Sequence, residues 1–261
     1  MPDTPAVADV RRRLAAGLLA LPPAVAELGA AFAASGHRLA LVGGPVRDAA
    51  LGRVSPDLDF ATDARPEETE RLLSAWGDAC WDIGKAFGTI GARKGDVIAE
   101  VTTYRTEQYD PTSRKPDVVY GDTLEGDLTR RDFTVNAMAV ELPDLTFVDP
   151  HHGLEDLAAG WLRTPGTAEQ SFGDDPLRMM RAARFSAQLG LDVDAPVQAA
   201  MTAMAERITI VAAERSRAEL EKLLVARYPR RGLELLVETG VMDHVPVSYT
   251  HLRAHETDSY L

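Results

Sequence analysis

Apolar and polar positions divide the chain into two textures. In the first, the alanine-rich "AVAELGAAFAAS" (residues 24–35) has helical spacing and stops at Gly36. "RLALV" (38–42) is the short apolar run of a buried strand, closed by Gly43 and Gly44. "VRDAALG" is long enough for one or two helical turns ending at Gly52, and "DLDFA" (57–61) alternates as a strand does. Asp63 stands where it would cap the helix "ARPEETERLLSAW", whose first turn holds Pro66 and two glutamates. "GTIGAR" and "VIAEVTTYR" flank "KGD" as the arms of a hairpin. Residues 106–128 are polar, carry Pro111 and Pro116, and read as a mobile loop. Order returns with "RRDFTVNAMAVEL" and with "FVDPHHGLEDLAAGWLR", a strand, a turn and a short helix.

Beyond "TPGTAEQSFG" the texture changes, and residues 174–190, 195–207, 211–227 and 230–240 all have helical patterns. The expected fold class is therefore α+β, with a small mixed sheet in a head over residues 24–170 and an all-helical part over 171–246. The polar ending, residues 247–261, lacks the alanine, arginine and leucine texture before it and is expected to be a non-native tail. No internal repeat is present, which disfavours a solenoid.

Composition narrows the picture. With 261 residues, 45% of them hydrophobic, the chain can bury a sizeable core. A formal net charge of -12 and a pI near 5.0 give no global basic field, so any nucleic-acid contact has to rest on a local patch. Cys80, the single cysteine, cannot form an internal disulfide and fits a reducing, cytoplasmic compartment. "RRRLAAGLLALPPAVAELG" superficially resembles a targeting signal, but Asp3 and Asp9 precede the arginines, Pro22 and Pro23 break the apolar run, and Glu27 follows. No run approaches the roughly 20 apolar residues of a membrane span, so no membrane partner is expected.

The alternation in "DLDFA" turns Asp57 and Asp59 to one face and Leu58 to the other. Two adjacent carboxylates repel unless a cation sits between them, and Mg2+ prefers oxygen ligands and shares them with substrate phosphates. Upstream, Gly43 and Gly44 allow close backbone approach to a phosphate chain, a helix start offers free N–H groups, and Arg47 adds a guanidinium. Each motif alone fits a plain turn or a solvated strand end. Together they have the layout of a polymerase-beta-type nucleotidyltransferase head. Glu100 faces away from Val97, Ala99 and Val101, either towards the aspartates or towards solvent, and Asp96 reads as a turn residue.

Five stretches, "LVGGPVRDAALGR…DLDFAT", "LTRRDFTVNAMA", "DPHHGLEDL", "DDPLRMMRAARF" and "ERSRAELEKLL", occur in an order that resembles the class II tRNA nucleotidyltransferases, the CCA-adding enzymes, whose head is shared with bacterial poly(A) polymerases. The resemblance spans residues 36–243. It implies that Asp57 and Asp59 are magnesium ligands, that Gly44 and Arg47 contact a triphosphate, and that Arg131 is a further nucleotide contact. For Arg131 the plainer alternative is a structural ion pair with Asp132, and the role of Asn136 stays open.

In "DDPLRMMRAARF" the residues Asp175, Arg178, Arg181 and Arg184 are spaced three apart, so neighbours lie close while the set drifts round the helix. The resemblance implies that these are nucleotide-binding, with Asp175 and Arg178 reading the base. An aspartate accepts from the exocyclic amine that cytosine and adenine share, and an arginine donates to the adjacent ring nitrogen. Uracil and guanine present the opposite groups, a mismatch costing on the order of several kcal/mol. The family often has Glu-Asp where this chain has Asp174-Asp175. The resemblance also makes residues 106–128 the flexible element implicated in switching from C to A addition.

The implied function is template-independent transfer of CMP and AMP from CTP and ATP to the tRNA 3′ end, with pyrophosphate released. A poly(A) polymerase or A-adding relative, and a nucleotide- or RNA-binding fragment without turnover, are the rival readings. Between Asp174 and Arg231 ten Lys/Arg face eight Asp/Glu, a mild local excess. Arg215, Arg217, Lys222, Arg227, Arg230 and Arg231 either follow an RNA backbone or pair with nearby glutamates. His151 and His152 read as turn residues, and His251 and His255 lie in the suspect tail.

Overall fold

The computed structural model describes residues 3–55, 57–84, 88–108, 117–121 and 123–245. The suspect tail lies outside them. The chain separates into two compact units at Gly166/Thr167.

The first unit opens with two helices, α1 (Pro5–Leu19) and α2 (Pro23–Ala34). Thr4 caps α1 through Val7 N, and Val7, Val10, Leu14 and Leu18 form its buried stripe. This helix, unremarked in the sequence beyond its signal-like look, packs on α3 (Gly44–Ala50) and on α6 (Gly153–Ala159). No single helix among the described residues is long and apolar enough to cross a membrane; α1 and α2 reach that length only as a pair bent by 84°.

Strands β1 (Leu39–Val42), β2 (Asp57–Thr62), β3 (Ala79–Gly84), β4 (Thr89–Lys94), β5 (Val97–Thr103), β8 (Ala139–Leu142) and β9 (Thr146–Val148) make one seven-stranded mixed sheet in the order β3-β4-β5-β2-β1-β8-β9. Only β2 and β5 run parallel; the other pairs are antiparallel. The expected head sheet is present, and β2 is a central strand. Helices α2 and α4 (Pro66–Trp76) lie against the sheet. Ala40, Val42, Ala61 and Ala139 join Tyr104 and the α5 (Leu124–Thr129) residues Leu124 and Leu128 in a second buried cluster.

Two local expectations are corrected. Asp63 does not cap α4, whose N-cap is Arg65 without a side-chain bond. The Asp63 carboxylate instead accepts from Arg38 N at 3.0 Å and meets His37 Nδ1 at 3.1 Å, fastening the entry of β1. Residues 106–128 are not one loop: β6 (Arg105–Gln108) pairs antiparallel with β7 (Asp117–Tyr120), and α5 begins at Leu124 behind its cap, Thr123. The β-branched "VV" of β7 supplies strand propensity that the prolines concealed. Residues 109–116 lie outside the described set.

The second unit contains α7 (Ala168–Asp174), α8 (Leu177–Leu189), the two-residue β11 (Asp192–Val193), α9 (Ala195–Met204), α10 (Ala213–Leu224) and α11 (Pro229–Glu238); the first unit ends with β10 (Trp161–Leu162). Helix α8 is the hub, with α10 and α11 packed on it and Met179, Met180, Ala182, Ala183 and Ala187 fully buried. The arginine-bearing helix is therefore a core helix, not a solvated face.

Close packing around α6 makes Gly153 sensitive. A Cβ there would stand 2.1 Å from the Thr134 carbonyl oxygen and 2.9 Å from Met138 Cγ. Gly153→Ala is expected to destabilise the head by about 1–3 kcal/mol or more. Urea unfolding measures this directly, and an unchanged midpoint would refute the packing argument.

Candidate active site

The site grows from the alternation of β2. Asp57 and Asp59 are exposed while Leu58 and Phe60 are buried, and Ala61, next on the carboxylate side, joins the cluster beneath α5. The carboxylates thus occupy the stretch of that face that α5 does not cover. Pairing with β5 sets Glu100 directly beside Asp59. The sequence left Glu100 undecided between solvent and the aspartates; the parallel register answers in favour of the aspartates.

Asp59 as a residue is open to solvent, yet the protein crowded around its carboxyl raises its pKa, and Glu100 and, more weakly, Asp57 raise it further. Arg131 pulls in the opposite direction. Three carboxylates and one guanidinium therefore share one electrostatic neighbourhood. Among the described residues no group of three or more His, Cys, Asp or Glu is arranged to hold a metal by itself. The donors that do lie together are oxygens, the ligand type that magnesium takes along with substrate phosphates.

Gly43 ends β1 and serves as the N-cap of α3, with φ 70° and ψ -123°. Its positive φ favours glycine, and the space is closed as well, because a Cβ at Gly43 would lie 2.8 Å from Arg131 Nη1. Gly44 is looser, its nearest neighbour being Arg47 Nη2 at 3.9 Å from an added Cβ. Arg47, on α3, donates from Nη1 to Asn136 Oδ1 at 2.6 Å and from Nε and Nη2 to Asp48 Oδ1 at 3.0 and 2.8 Å. Asn136 in turn donates to Asp132 Oδ1 at 3.0 Å, and that oxygen also accepts from Phe133 N. Asn136 thereby acquires a definite place, fixing Arg47 against the turn that follows "RRD".

The Arg131–Asp132 pair weighed in the sequence does not form. Arg131 Nη2 instead donates to Asp127 Oδ2 at 3.0 Å, while Arg130 donates to Asp127 Oδ1 from Nη2 at 2.6 Å and from Nε at 3.0 Å. Asp127 is 1% exposed. Burial alone would push its carboxyl up, but Arg131 and Arg130 outweigh that and hold it below the ordinary range. Sequence reasoning missed Asp127; its only signal is a carboxylate four residues ahead of an arginine on a short helix.

In "DPHHGLEDL" the Asp149 carboxylate accepts from Gly153 N and Leu154 N at 2.8 and 2.9 Å, which fastens the start of α6. Asp156 accepts from Thr134 Oγ1 at 2.7 Å and from Arg163 at 2.6 Å. These bonds brace the Thr134–Asn136 turn from behind.

In the second unit Asp175 sits between α7 and α8. Its Oδ1 accepts from Leu177 N at 3.1 Å, in the manner of a cap, and its Oδ2 accepts from Arg215 at 3.1 Å. Arg178 is nearly buried at 9% exposure and donates to Ser171 Oγ at 2.9 Å. Arg181 lies over the Phe185 ring. Arg184 is equally buried, donating to Glu219 at 2.5 Å and to Gln188 at 2.9 Å, with its guanidinium 4.0 Å from the Phe185 ring centre. Arg215, grouped in the sequence with arginines along an RNA backbone or paired to glutamates, turns to Asp175. Arg217, Arg230 and Arg231 pair with Glu221, Glu234 and Asp192.

Comparison with known proteins gives a consistent result. Residues 39–163 match the poly A polymerase head domain, and residues 190–248 match a module described as "Probable RNA and SrmB- binding site of polymerase A". The chain is 41% identical over 213 residues to a CCA-adding enzyme of Leuconostoc mesenteroides, which covers 81% of this chain and 52% of the relative. It is 39% identical over 216 residues to the Bacillus subtilis CCA-adding enzyme, covering 82% and 53% respectively. Among solved structures, the Bacillus stearothermophilus CCA-adding enzyme in complex with CTP superposes with a TM-score of 0.77 at 37% identity, over 87% of this chain and 54% of that one. A Thermotoga maritima CCA-adding enzyme complexed with tRNA gives 0.72 at 25% identity, over 90% and 55%. The chain spans about half the length of the curated relatives it matches. On its sequence, its fold and the arrangement of its motifs, the chain belongs to the family of tRNA nucleotidyltransferases and poly(A) polymerases.

Proposed function

We propose that this chain carries the chemistry of a CCA-adding tRNA nucleotidyltransferase, adding CMP and then AMP from CTP and ATP to the tRNA 3′ end without a nucleic-acid template. The observation that carries the reading is the meeting of Asp57 and Asp59 on one face of β2 with Arg131 and the Gly43 turn. The names of the relatives supply the acceptor and the two nucleotides: one solved relative is complexed with tRNA, another with CTP, another with ATP. A cytoplasmic location belongs to the same reading.

Asp57 and Asp59 would hold Mg2+, and Glu100 lies close enough in register to add a third oxygen or to tune Asp59. When bound, the metal supplies positive charge to the phosphate oxygens and lowers the pKa of the attacking 3′-hydroxyl. The residues of this chain do the rest. Gly44, where an added Cβ would meet nothing nearer than Arg47 Nη2 at 3.9 Å, leaves room for the triphosphate beside the backbone, and Arg131 and Arg47 place guanidiniums against its oxygens. Attack on the α-phosphate then forms the new phosphodiester bond and releases pyrophosphate, whose charge the same guanidiniums accept.

Base choice falls to Asp175 and Arg178. Arg215 and Leu177 N hold the carboxylate, and Ser171 holds the guanidinium. A base presenting the wrong groups leaves these partners unsatisfied in a poorly solvated setting. Arg184, tied to Glu219, is assigned to holding α8 on α10, and Arg181 stays a candidate nucleotide contact.

Incorporation of each labelled nucleotide into tRNA lacking CCA tests the reading. CTP and then ATP should be added, and Asp57→Ala should lower the rate by roughly 10³-fold or more. Addition of ATP alone would replace the reading by the A-adding one, and CTP binding without turnover by the silent fragment.

Asp175→Asn turns an acceptor partly into a donor. It should cut the preference for CTP and ATP over UTP and GTP by about 10- to 100-fold, with a smaller effect on total nucleotide affinity. Single-nucleotide addition kinetics with all four triphosphates would show it, and unchanged selectivity would remove Asp175 from the base-reading role.

Because its neighbours raise the Asp59 pKa in the metal-free protein, protons should compete with Mg2+ there above the ordinary aspartate range, which sets the acid limb of activity at limiting Mg2+. Glu100→Gln removes one of those raising charges, so the limb should move to lower pH if Glu100 only tunes Asp59. A pH profile of the initial rate separates this from a ligand role, in which the variant would lose most activity at every pH.

A further inference from the structure

We propose that Asp127 is the positioning residue that aims Arg131 at the nucleotide's phosphates. The inference rests on the nucleotidyl-transfer reading and deepens it by naming what makes Arg131 competent.

Arg131 lies in an unusual place. Its Nη1 occupies the space that a side chain on Gly43 would fill, and its charge is felt at Asp59. The guanidinium therefore spans from the glycine turn towards the carboxylates, which is where the phosphate chain of a bound nucleotide would run. An arginine is long and flexible, with up to about 2 kcal/mol of rotamer freedom to lose, and the two aspartates would draw it across into a direct ion pair. Such a pair would neutralise Asp57 or Asp59 and block the metal. Something has to hold the guanidinium back.

Among the described residues, the side-chain oxygen that does so is Asp127 Oδ2, at 3.0 Å. The carboxylate is itself immobile. It is fully buried, its other oxygen accepts two bonds from Arg130, and the backbone N of Arg105, at the start of β6, approaches Oδ1 at 3.4 Å. With the buried Leu124 and Leu128 anchoring α5 on the sheet, Asp127 is fixed to the same face that bears Asp57 and Asp59. One bond to Nη2 leaves Nη1 at the turn, and Arg131 Nε is buried with no hydrogen-bond partner among the described residues. A purely structural arginine would have its buried donors satisfied. An unspent buried Nε on a guanidinium whose Nη1 stands at the glycine turn suits a group that completes its bonds on an anionic ligand.

Asp127 touches no substrate and acts through Arg131, so a double-mutant cycle is the decisive experiment. Binding of CTP and of CMP to the full chain, with magnesium, would be measured by calorimetry for the parent, Asp127→Asn, Arg131→Ala and the double variant. Thermal unfolding would confirm that each is folded. Asp127→Asn should weaken CTP by about tenfold and CMP much less, since the loss concerns the outer phosphates. In the Arg131→Ala background the same substitution should have almost no further effect. Equal losses for CTP and CMP, or additive losses in the cycle, would assign Asp127 a merely structural role and overturn the proposal. If Asp127→Asn does not fold, Asp127→Glu keeps the buried charge but displaces it by one methylene. Its effect must likewise be confined to CTP and vanish without Arg131. A parent that adds nucleotides to tRNA while its cycle is additive sinks this inference alone. A parent that neither binds CTP nor adds nucleotides sinks the reading on which it rests.

Discussion

Repulsion between the carboxylates of Asp57, Asp59 and Glu100 is the interaction around which the head is arranged. In water such groups would splay apart. Here they cannot, because β5 pairs with β2 from Asp57 to Thr62 and β1 grips its far half from Phe60 to Thr62, so the strand keeps its pleat and both aspartates keep their face. The aspartates thus stand where β2 leaves its pairing with β1 and only β5 continues beside them, which holds their spacing by the ladder on that one side. The accumulated negative charge then has to be balanced without being quenched. Arg131 provides the balance from across the Gly43 turn, and Arg47, tied to Asn136 and Asp48, stands ready from α3. Behind these guanidiniums lies a layer of further carboxylates, Asp127, Asp132 and Asp156, that hold the arginines or the turn supporting them. The negative charge of the proposed site is thus balanced at the surface of the sheet by positive charge that is itself paired behind it.

What the sequence disclosed follows from the range of each interaction. The D-x-D alternation, the glycine pair, the β4–β5 hairpin and the helical second half depend on neighbours within a few residues, and they were legible from periodicity and turn residues. The seven-stranded order was not, because it is set by pairings such as β1 with β8 across a hundred residues. Partner choice was the least legible feature. Arg131 could be expected to pair with adjacent Asp132, but successive residues on the turn point apart, and Asp127, one helical turn back, lies on its side. Asp63 looked like a cap for α4 and serves β1 instead, a competition between a local and a long-range donor that composition cannot decide. Helix α1 was obscured by its likeness to a targeting signal, although its buried stripe at Val7, Val10, Leu14 and Leu18 follows helical spacing closely.

The second unit shows how far a spacing argument reaches. Steps of three along α8 drift by roughly 60° each, since a turn takes 3.6 residues. Arg178 therefore meets a serine of α7, whereas Arg181 and Arg184 share the Phe185 ring and Arg184 alone reaches the buried glutamate of α10. Equal spacing did not make them one surface. Asp175 is set apart more strongly still, because it joins two helices, its N–H closing α7 on Ser171 O and its C=O accepting from Arg178 N, while its carboxylate is aimed by Leu177 N and Arg215.

That arrangement bears on how a protein can choose a base without a template. A flexible aspartate and arginine could rotate to satisfy uracil as readily as cytosine, and selectivity would collapse to the small differences of a solvated pair. A carboxylate held by two donors and a guanidinium held in a nearly solvent-free setting cannot reorient without breaking those bonds. The buried bond of Arg178 costs about 1–3 kcal/mol to abandon, comparable to the discrimination a single mismatched hydrogen bond provides, while the more exposed Arg215–Asp175 pair adds less. Under the proposed role, rigidity of Asp175 and Arg178 would set the ceiling on selectivity. Burial of Arg178 beside Ser171, more than its mere presence, is what the proposed base-reading role would require.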